Sequence, residues 1–264
     1  MKQYGLLGFP LIHSFSCNYF TEKFKMEAID ALYQNFSTPN IDLFPRLIND
    51  NPLLYGLNVT IPYKQAVIPY LDSLDPEAEA IGAVNVIKIN HDRNGKPHLT
   101  GYNSDLTGFR ESIRPFIDNL RNRIKGKNGD ELNANKTLKA LILGTGGVSK
   151  AIEYGLEQLD IETMQVSRTQ ASGLFTYNQL NEDIYKDYAI IVNATPLGTM
   201  PEIDTCPPIH YESITPDHLL FDVVYNPDKT LFLKKGEQRG ATIKNGLEML
   251  HLQAEAAWKI WNQE

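Results

Sequence analysis

Residues 138–151 read LKALILGTGGVSKA. Leu138 to Leu143 is an apolar run broken by a single lysine, the pattern of a strand. The residues after it supply a glycine turn that opens a helix. Gly144 allows the tight bend, and Gly146 removes a side chain where a pyrophosphate would approach the backbone. Gly147 or Ala151 lets the helix pack close to the strand. The helix N-terminus then presents free N–H groups and partial positive charge to phosphates. The spacing departs from strict G-x-G-x-x-G, because the third small residue falls at Ala151. A glycine triplet alone is also compatible with a tight structural turn; the strand before it and the helix after it favour a dinucleotide site.

The second strand of such a unit selects the cofactor, and it ends here in Val166-Ser167-Arg168-Thr169. No carboxylate is present for the ribose hydroxyls of NAD. Arg168 offers a flat guanidinium to a 2′-phosphate, with Ser167 and Thr169 as hydroxyl donors, which favours NADP. The plainer alternative is an exposed arginine on a loop.

Outward from this unit the chain alternates strands and helices. Strands are expected at Tyr4–Gly8, Leu32–Ser37 and Leu57–Ile61, and helices at Ser16–Ala28, Ile41–Ile48 and Lys64–Leu71. A hairpin is expected from Val84–Ile89 and His98–Tyr102 about Asn94-Gly95. Leu106–Leu120 is helical in pattern, and residues 121–137 read as a polar surface loop. Further strands are expected at Ala189–Asn193, Leu219–Val224 and Ala241–Lys244, before an amphipathic helix at Leu247–Trp261. This alternation implies two α/β domains with mostly parallel sheets and a ligand cleft between them. The expected division is 1–105 with the returning segment 246–264, and 106–245.

The 264 residues suit one large domain or two ordinary ones. With 25 basic and 32 acidic residues the formal charge is −7, which argues against nucleic acid or an anionic membrane as partner. Cys17 and Cys206 form no disulfide framework, and no His/Cys/Asp cluster has metal-ligand spacing, so no metal is expected. No apolar run reaches the roughly 18 residues of a membrane span, and the N-terminus lacks a signal-peptide core. A reducing cytoplasm is the expected location.

The first half holds four short polar motifs. In His13-Ser14-Phe15-Ser16 the two hydroxyls can hold a carboxylate; a plain helix N-cap explains them equally. Asn58-Val59-Thr60-Ile61-Pro62-Tyr63-Lys64 puts an amide, a hydroxyl and an amine at one strand end, where Lys64 is a solvated charge or a proton donor. In Gly82-Ala83-Val84-Asn85 the asparagine opens a strand or merely turns. In Asn103-Ser104-Asp105 the carboxylate is a helix cap or a chemical group. Consecutive strand ends converge on one edge of a sheet, which would gather Lys64, Asn85 and Asp105. A carboxylate that orients an ammonium makes a pair able to protonate a carbonyl under reduction.

These motifs, with GFPLIHSFS, LNVTIPYK, AIGAVNVI, GYNSDLTGF, LILGTGGVSKA, VSRT, IVNATPLGTM, DVVYNP and NGLEMLHLQAEAAW in order along nearly the whole chain, resemble the shikimate dehydrogenase family. The resemblance implies a substrate domain, a Rossmann-like NADP-binding domain, and NADP-dependent reversible reduction of 3-dehydroshikimate to shikimate on the route to aromatic amino acids. It implies that Ser14, Ser16 and Tyr225 hold the substrate carboxylate, and that Thr60, Asn85 and Gln253 bind ring hydroxyls. Lys64 would donate and accept the proton, with Asp105 as its partner. Gly144, Thr145, Gly146, Gly147 and Val148 would cradle the pyrophosphate, and Ser167, Arg168 and Thr169 the adenosine phosphate. Thr195, Val223 and Gly246 would lie near the nicotinamide. The expected assembly is a monomer or homodimer.

Three features depart from the family pattern. Cys17 stands where a proline is usual, and Ser167 where asparagine is common. Between Thr169 and the strand at Ala189 the family fits a helix and a strand, with a second basic residue early in the segment; this chain has only TQASGLFTYNQLNEDIYKDY there, with no basic residue near its start. NADP preference then rests on Arg168. An NAD-using quinate/shikimate dehydrogenase and a non-catalytic ligand sensor are the alternatives; the sensor is disfavoured by the presence of both Lys64 and Asp105.

Overall fold

The computed structural model describes residues 1–11, 15–128 and 137–263. They form two compact units, Met1–Ser104 with Ala254–Glu264, and Asp105–Gln253.

In the first unit the strands are β1 (Lys2–Gly8), β2 (Ala31–Ser37), β3 (Leu54–Val59), β4 (Ser73–Leu74), β5 (Val86–His91) and β6 (Pro97–Tyr102). They form one sheet in the order β2-β1-β3-β5-β6-β4. β1 runs parallel to β2 and β3, β4 runs parallel to β6, and β5 is antiparallel to β3 and β6. The helices are α1 (Phe15–Met26), α2 (Phe44–Asp50), α3 (Tyr63–Ala66) and α4 (Pro76–Ile81). Period-two alternation sorts the core. Tyr4 and Leu6 pack with Phe20 and Phe24 of α1 on one face, and Leu7, Leu57 and Val59 pack with Phe44 and Ile48 of α2 in a separate cluster.

The second unit contains α5 (Ser104–Asn128, which starts on the last residue of the first), β7 (Leu138–Leu143), α6 (Gly147–Glu157), β8 (Ile161–Ser167), β9 (Phe175–Thr176), α7 (Ile184–Asp187), β10 (Ile190–Asn193), β11 (Leu219–Asp222), α8 (Leu231–Gln238), β12 (Thr242–Lys244) and the start of α9 (Leu247–Asn262). Its sheet has the order β12-β11-β10-β7-β8-β9, and every pairing is parallel. This is the strand order of dinucleotide-binding folds. Both faces are covered: Ala140, Ile142, Ile190, Val192 and Phe221 pack with α5 and α6, while Leu141, Leu143, Ile191 and Leu220 pack with α8.

Several expectations shift. The strand expected at Leu57–Ile61 begins at Leu54 and ends at Val59. The Thr60 carbonyl accepts from the Tyr63 N–H at 2.9 Å, so Thr60 and Ile61 turn rather than extend. The helix expected at Lys64–Leu71 is one turn followed by a 3-10 turn at Ile68–Tyr70. Pro69 lacks an N–H and disfavours continuation. Residues 121–128, expected as loop, continue α5, and 129–136 lie outside the described residues. Between β8 and β9 there is a turn and no helix; the strand that follows has two residues. Sequence reading did not anticipate β4 or α4. Asp75 caps α4 through the Glu77 N–H, Pro76 opens it and Gly82, at φ 66°, ends it.

The last helix packs into the first unit through Ala254, Ala257, Trp258 and Trp261, and Trp261 is the largest buried side chain among them. Trp261 is buried, its Nε1–H donates to the Ile87 carbonyl at 3.1 Å, and its ring occupies the space a side chain at Gly56 would need. Trp261→Ala should lower stability by about 3–5 kcal/mol, measured by urea denaturation. A loss below about 1 kcal/mol would show that the helix is held elsewhere.

Candidate active site

In the first unit the strand ends set the site. β1, β2 and β3 are parallel, and β5 starts at the edge where β3 finishes. The Val59 N–H donates to the Asn85 carbonyl at 2.8 Å and the Thr60 N–H to the Leu7 carbonyl at 2.9 Å. Thr60 and Asn85 are thereby fixed at one edge. Lys64 follows in α3, whose position is set by buried Tyr63: its hydroxyl donates to the Thr38 carbonyl at 2.6 Å. The Lys64 carbonyl accepts from the Val84 N–H at 2.7 Å, which ties the lysine backbone to the segment entering β5. The Lys64 side chain is half-buried.

Asn85 is buried and has two tasks visible in the structure. Its Oδ1 accepts from the Ser104 N–H at 2.6 Å and its Nδ2 donates to Ser104 Oγ at 3.1 Å. The amide thus caps the start of α5, one residue before Asp105. Asp105 itself is buried in the first turn of that helix and is not its cap. Ser16 lies in the first turn of α1 and hydrogen-bonds the Tyr33 side chain; the Tyr33 hydroxyl donates to Asn58 Oδ1 at 2.8 Å. Burial pushes the Tyr33 phenol well above its ordinary range, so it remains a donor. From sequence Asn58 reads as the amide of its strand-end motif without an assigned role, and Tyr33 is not singled out; the aromatic at a buried position of β2 reads simply as core. Cys17 sits inside α1 with its thiol toward the Tyr33 carbonyl at 3.9 Å. Ser14 lies outside the described residues.

In the second unit the all-parallel sheet sends every carboxyl end to one edge. Ser167–Thr169 follow β8, Gly144–Val148 follow β7, Thr195 follows β10, Val223 and Tyr225 follow β11, and Gly246 follows β12. They span four strand spacings, about 19 Å. Gly144 has φ 118° and its N–H donates to the Val166 carbonyl at 2.9 Å. Gly146 forms the N-cap of α6 without a side-chain cap, and a Cβ there would meet no protein atom within 4 Å. The turn therefore leaves open space in front of a helix N-terminus, which fits a pyrophosphate. Gly246 is different: a Cβ there would lie 2.2 Å from the Val223 carbonyl oxygen, so this glycine permits close passage of two loops.

Arg168 is exposed at the end of β8, and Ser167 Oγ accepts from the Thr169 N–H at 3.2 Å. Register places Thr176 beside Ser167. The next residue, Tyr177, has its phenol pushed up to about 12 by burial, while the Arg168 charge opposes the shift. Thr176 and Tyr177 thus lie beside the carboxyl end of β8 and Arg168.

Asp105 and Gln253 belong to the second unit, on α5 and α9. Gly108 lets those helices approach: a Cβ there would lie 2.6 Å from the Met249 carbonyl oxygen and 3.1 Å from Gln253 Cβ. Tyr225 is 39% exposed, and its partial burial raises its phenol. Among the described residues no group of His, Cys, Asp and Glu could hold a metal ion, and no helix is long and apolar enough to cross a membrane.

Residues 6–87 match the shikimate dehydrogenase substrate binding domain. The chain is 34% identical to a shikimate dehydrogenase (NADP(+)) of Desulforamulus reducens, over 97% of this chain and 88% of that one. A crystal structure from Thermus thermophilus, a shikimate 5-dehydrogenase in complex with NADP(H) and shikimate, aligns at TM-score 0.79 and 27% identity, covering 99% of this chain and 94% of the other. A quinate dehydrogenase of Corynebacterium glutamicum in complex with NAD shares the fold at TM-score 0.81 and 24% identity, covering 99% and 93%. Matched along nearly its whole length, the chain belongs to the shikimate dehydrogenase family.

Proposed function

We propose that the chain catalyses the NADP-linked, reversible reduction of 3-dehydroshikimate to shikimate. The observation that carries this is the fixed edge of the first sheet, where Thr60, Lys64 and Asn85 are held by backbone hydrogen bonds, combined with an open glycine turn on the second. Ser14 and Ser16, with Tyr225, bind the substrate carboxylate. Thr60, Asn85 and Gln253 take ring hydroxyls. One hydrogen of the Asn85 amide is engaged by Ser104, which fixes its plane.

When bound, the nicotinamide supplies the hydride to the ketone carbon and takes it back in the reverse direction. The Lys64 ammonium gives its proton to the carbonyl oxygen as that oxygen gains charge, and the neutral amine recovers it from water. In this reading Asp105 is the carboxylate partner of Lys64. Gly144, Thr145, Gly146, Gly147 and Val148 hold the pyrophosphate, Ser167, Arg168 and Thr169 the 2′-phosphate, and Thr195, Val223 and Gly246 border the nicotinamide.

Lys64→Ala should lower kcat for shikimate oxidation by about 10²–10⁴-fold with an unchanged circular dichroism spectrum. A fully active variant would remove Lys64 from the chemistry. The segment 169–180 contains no lysine or arginine, so Arg168 is the guanidinium available to the 2′-phosphate on this strand end. Arg168→Ala should cut kcat/KM for NADP by about 10–100-fold, the value of one charged hydrogen bond, and leave that for NAD nearly unchanged. Equal losses for both cofactors would place the arginine outside phosphate recognition.

A further inference from the structure

Asn193 and Asp222 end β10 and β11, the two apolar strands IIVN and LLFD, and both are fully buried. Asp222 Oδ1 accepts from Asn193 Nδ2 at 3.0 Å and from the Val224 N–H at 3.0 Å, and Oδ2 accepts from Thr230 Oγ1 at 2.5 Å. Asn193 Oδ1 in turn accepts from the Thr195 N–H at 3.1 Å and the Thr195 hydroxyl at 2.6 Å. Thr230 caps α8 by accepting from the Leu233 N–H. The Val224 carbonyl takes the Gly246 N–H at 3.2 Å. Every loop that carries a nicotinamide-side residue is thus joined to one carboxyl group.

We propose that Asp222 is the positioning residue of the nicotinamide end: through Asn193, Thr230 and the Val224 N–H it fixes the loops that bear Thr195, Val223 and Gly246. This rests on the functional reading above. The carboxylate suits the task because it is acceptor-only and faces three donors. Burial pushes it up to about 7, against the opposing pull of Thr230, Val224 and Asn193. Tyr211 shares its field, but burial keeps that phenol far above its ordinary range and neutral, and Lys235 lies 4.6 Å over the Tyr211 ring. Below neutrality the proton goes to Oδ2, because Oδ1 already receives two N–H donors. The bond to Thr230 then reverses, and the threonine hydroxyl hydrogen must find another acceptor. Asp222→Asn imposes the same reversal at every pH.

The test compares binding of NADP with that of 2′-phospho-ADP-ribose to the full chain by titration calorimetry, from about pH 5.5 to 8.5. The second ligand carries the adenosine, 2′-phosphate and pyrophosphate without the nicotinamide, so the ratio of affinities isolates the nicotinamide end and cancels titration of the 2′-phosphate that both ligands share. In the wild type the ratio should rise with pH through about 7 by roughly three- to tenfold, the scale of one hydrogen bond. In Asp222→Asn it should be low and flat. Thr230→Val should lower it as well, and Thr230→Ser, which keeps both hydrogen bonds, should restore it. A ratio unchanged in Asp222→Asn and Thr230→Val overturns the proposal. Equal loss of both ligands, or a loss that Thr230→Ser shares, overturns it too, because it marks general damage to the unit. A wild type that binds 2′-phospho-ADP-ribose but not NADP would instead refute the cofactor reading.

Discussion

Parallel strands deliver their carboxyl ends to the same edge, and that single constraint organises this chain. A strand in a parallel sheet covered on both faces must be apolar along its length, because an unpartnered polar side chain there has no water to turn to. Polar residues are admitted where the strand stops. β7, β10 and β11 obey this: apart from half-exposed Lys139, LKALIL, IIVN and LLFD are buried, and chemistry begins at Gly144, Asn193 and Asp222. The first sheet applies the same rule, with Asn58 next to the end of β3 and Thr60 and Lys64 beyond it. Its antiparallel β5 brings Asn85 to the same edge by running the other way.

Where the sequence was legible, the signal was this contrast between apolar run and polar end. The central strands and the glycine turn could be read from it because backbone constraints, not distant contacts, determine them. Boundaries failed where a side chain answered to something non-local. Thr60 and Ile61 are β-branched and look extended, yet hydrogen bonds from Thr60 to β1 and from Tyr63 back to Thr60 turn the chain, and Ile61 is 74% exposed. Residues 121–128 look like loop because the apolar periodicity ends at Leu120. The helix continues there through polar anchors: the Arg123 guanidinium donates to the Pro216 carbonyl at 3.0 Å and to Thr242 Oγ1 at 3.1 Å. Such bonds carry no periodic trace. By contrast, the Asp75-Pro76 start and Gly82 stop of α4 were readable signals that its short length concealed.

The site divides along the same line. Residues whose role depends on backbone shape, such as Gly144 and Gly146, could be proposed from their spacing. Lys64, Asn85 and Asp105 needed the topology to gather their strand ends, and the motif resemblance to assign roles. Tyr33, Tyr177 and Thr230 carry no motif of their own, and Asn193, although inside IVNATPLGTM, is given no role by it. They support other site residues through hydrogen bonds or a neighbouring charge, and a sequence shows neither. Tyr177 is informative here. With only a turn after β8, the chain brings β9 directly beside Ser167, and an aromatic residue lies beside Arg168.

The Asp222 network shows why a buried carboxyl can persist in an apolar sheet. Replacing it with leucine would gain about 1.5–3 kcal/mol of apolar burial. The same change would strand the Asn193 amide, the Val224 N–H and the Thr230 hydroxyl, three donors at about 1–3 kcal/mol each. The balance runs against leucine by up to about 6 kcal/mol, taking the upper ends of those ranges. Removing the donors one at a time leaves the carboxyl progressively less satisfied, so partial dismantling is also unfavourable. The group is stable only as a complete set, and a complete set ties the loops after β10 and β11 to the start of α8. Residues such as Thr195 and Val223, which must keep fixed positions on irregular backbone, gain from that coupling the rigidity that the strands have from their ladders.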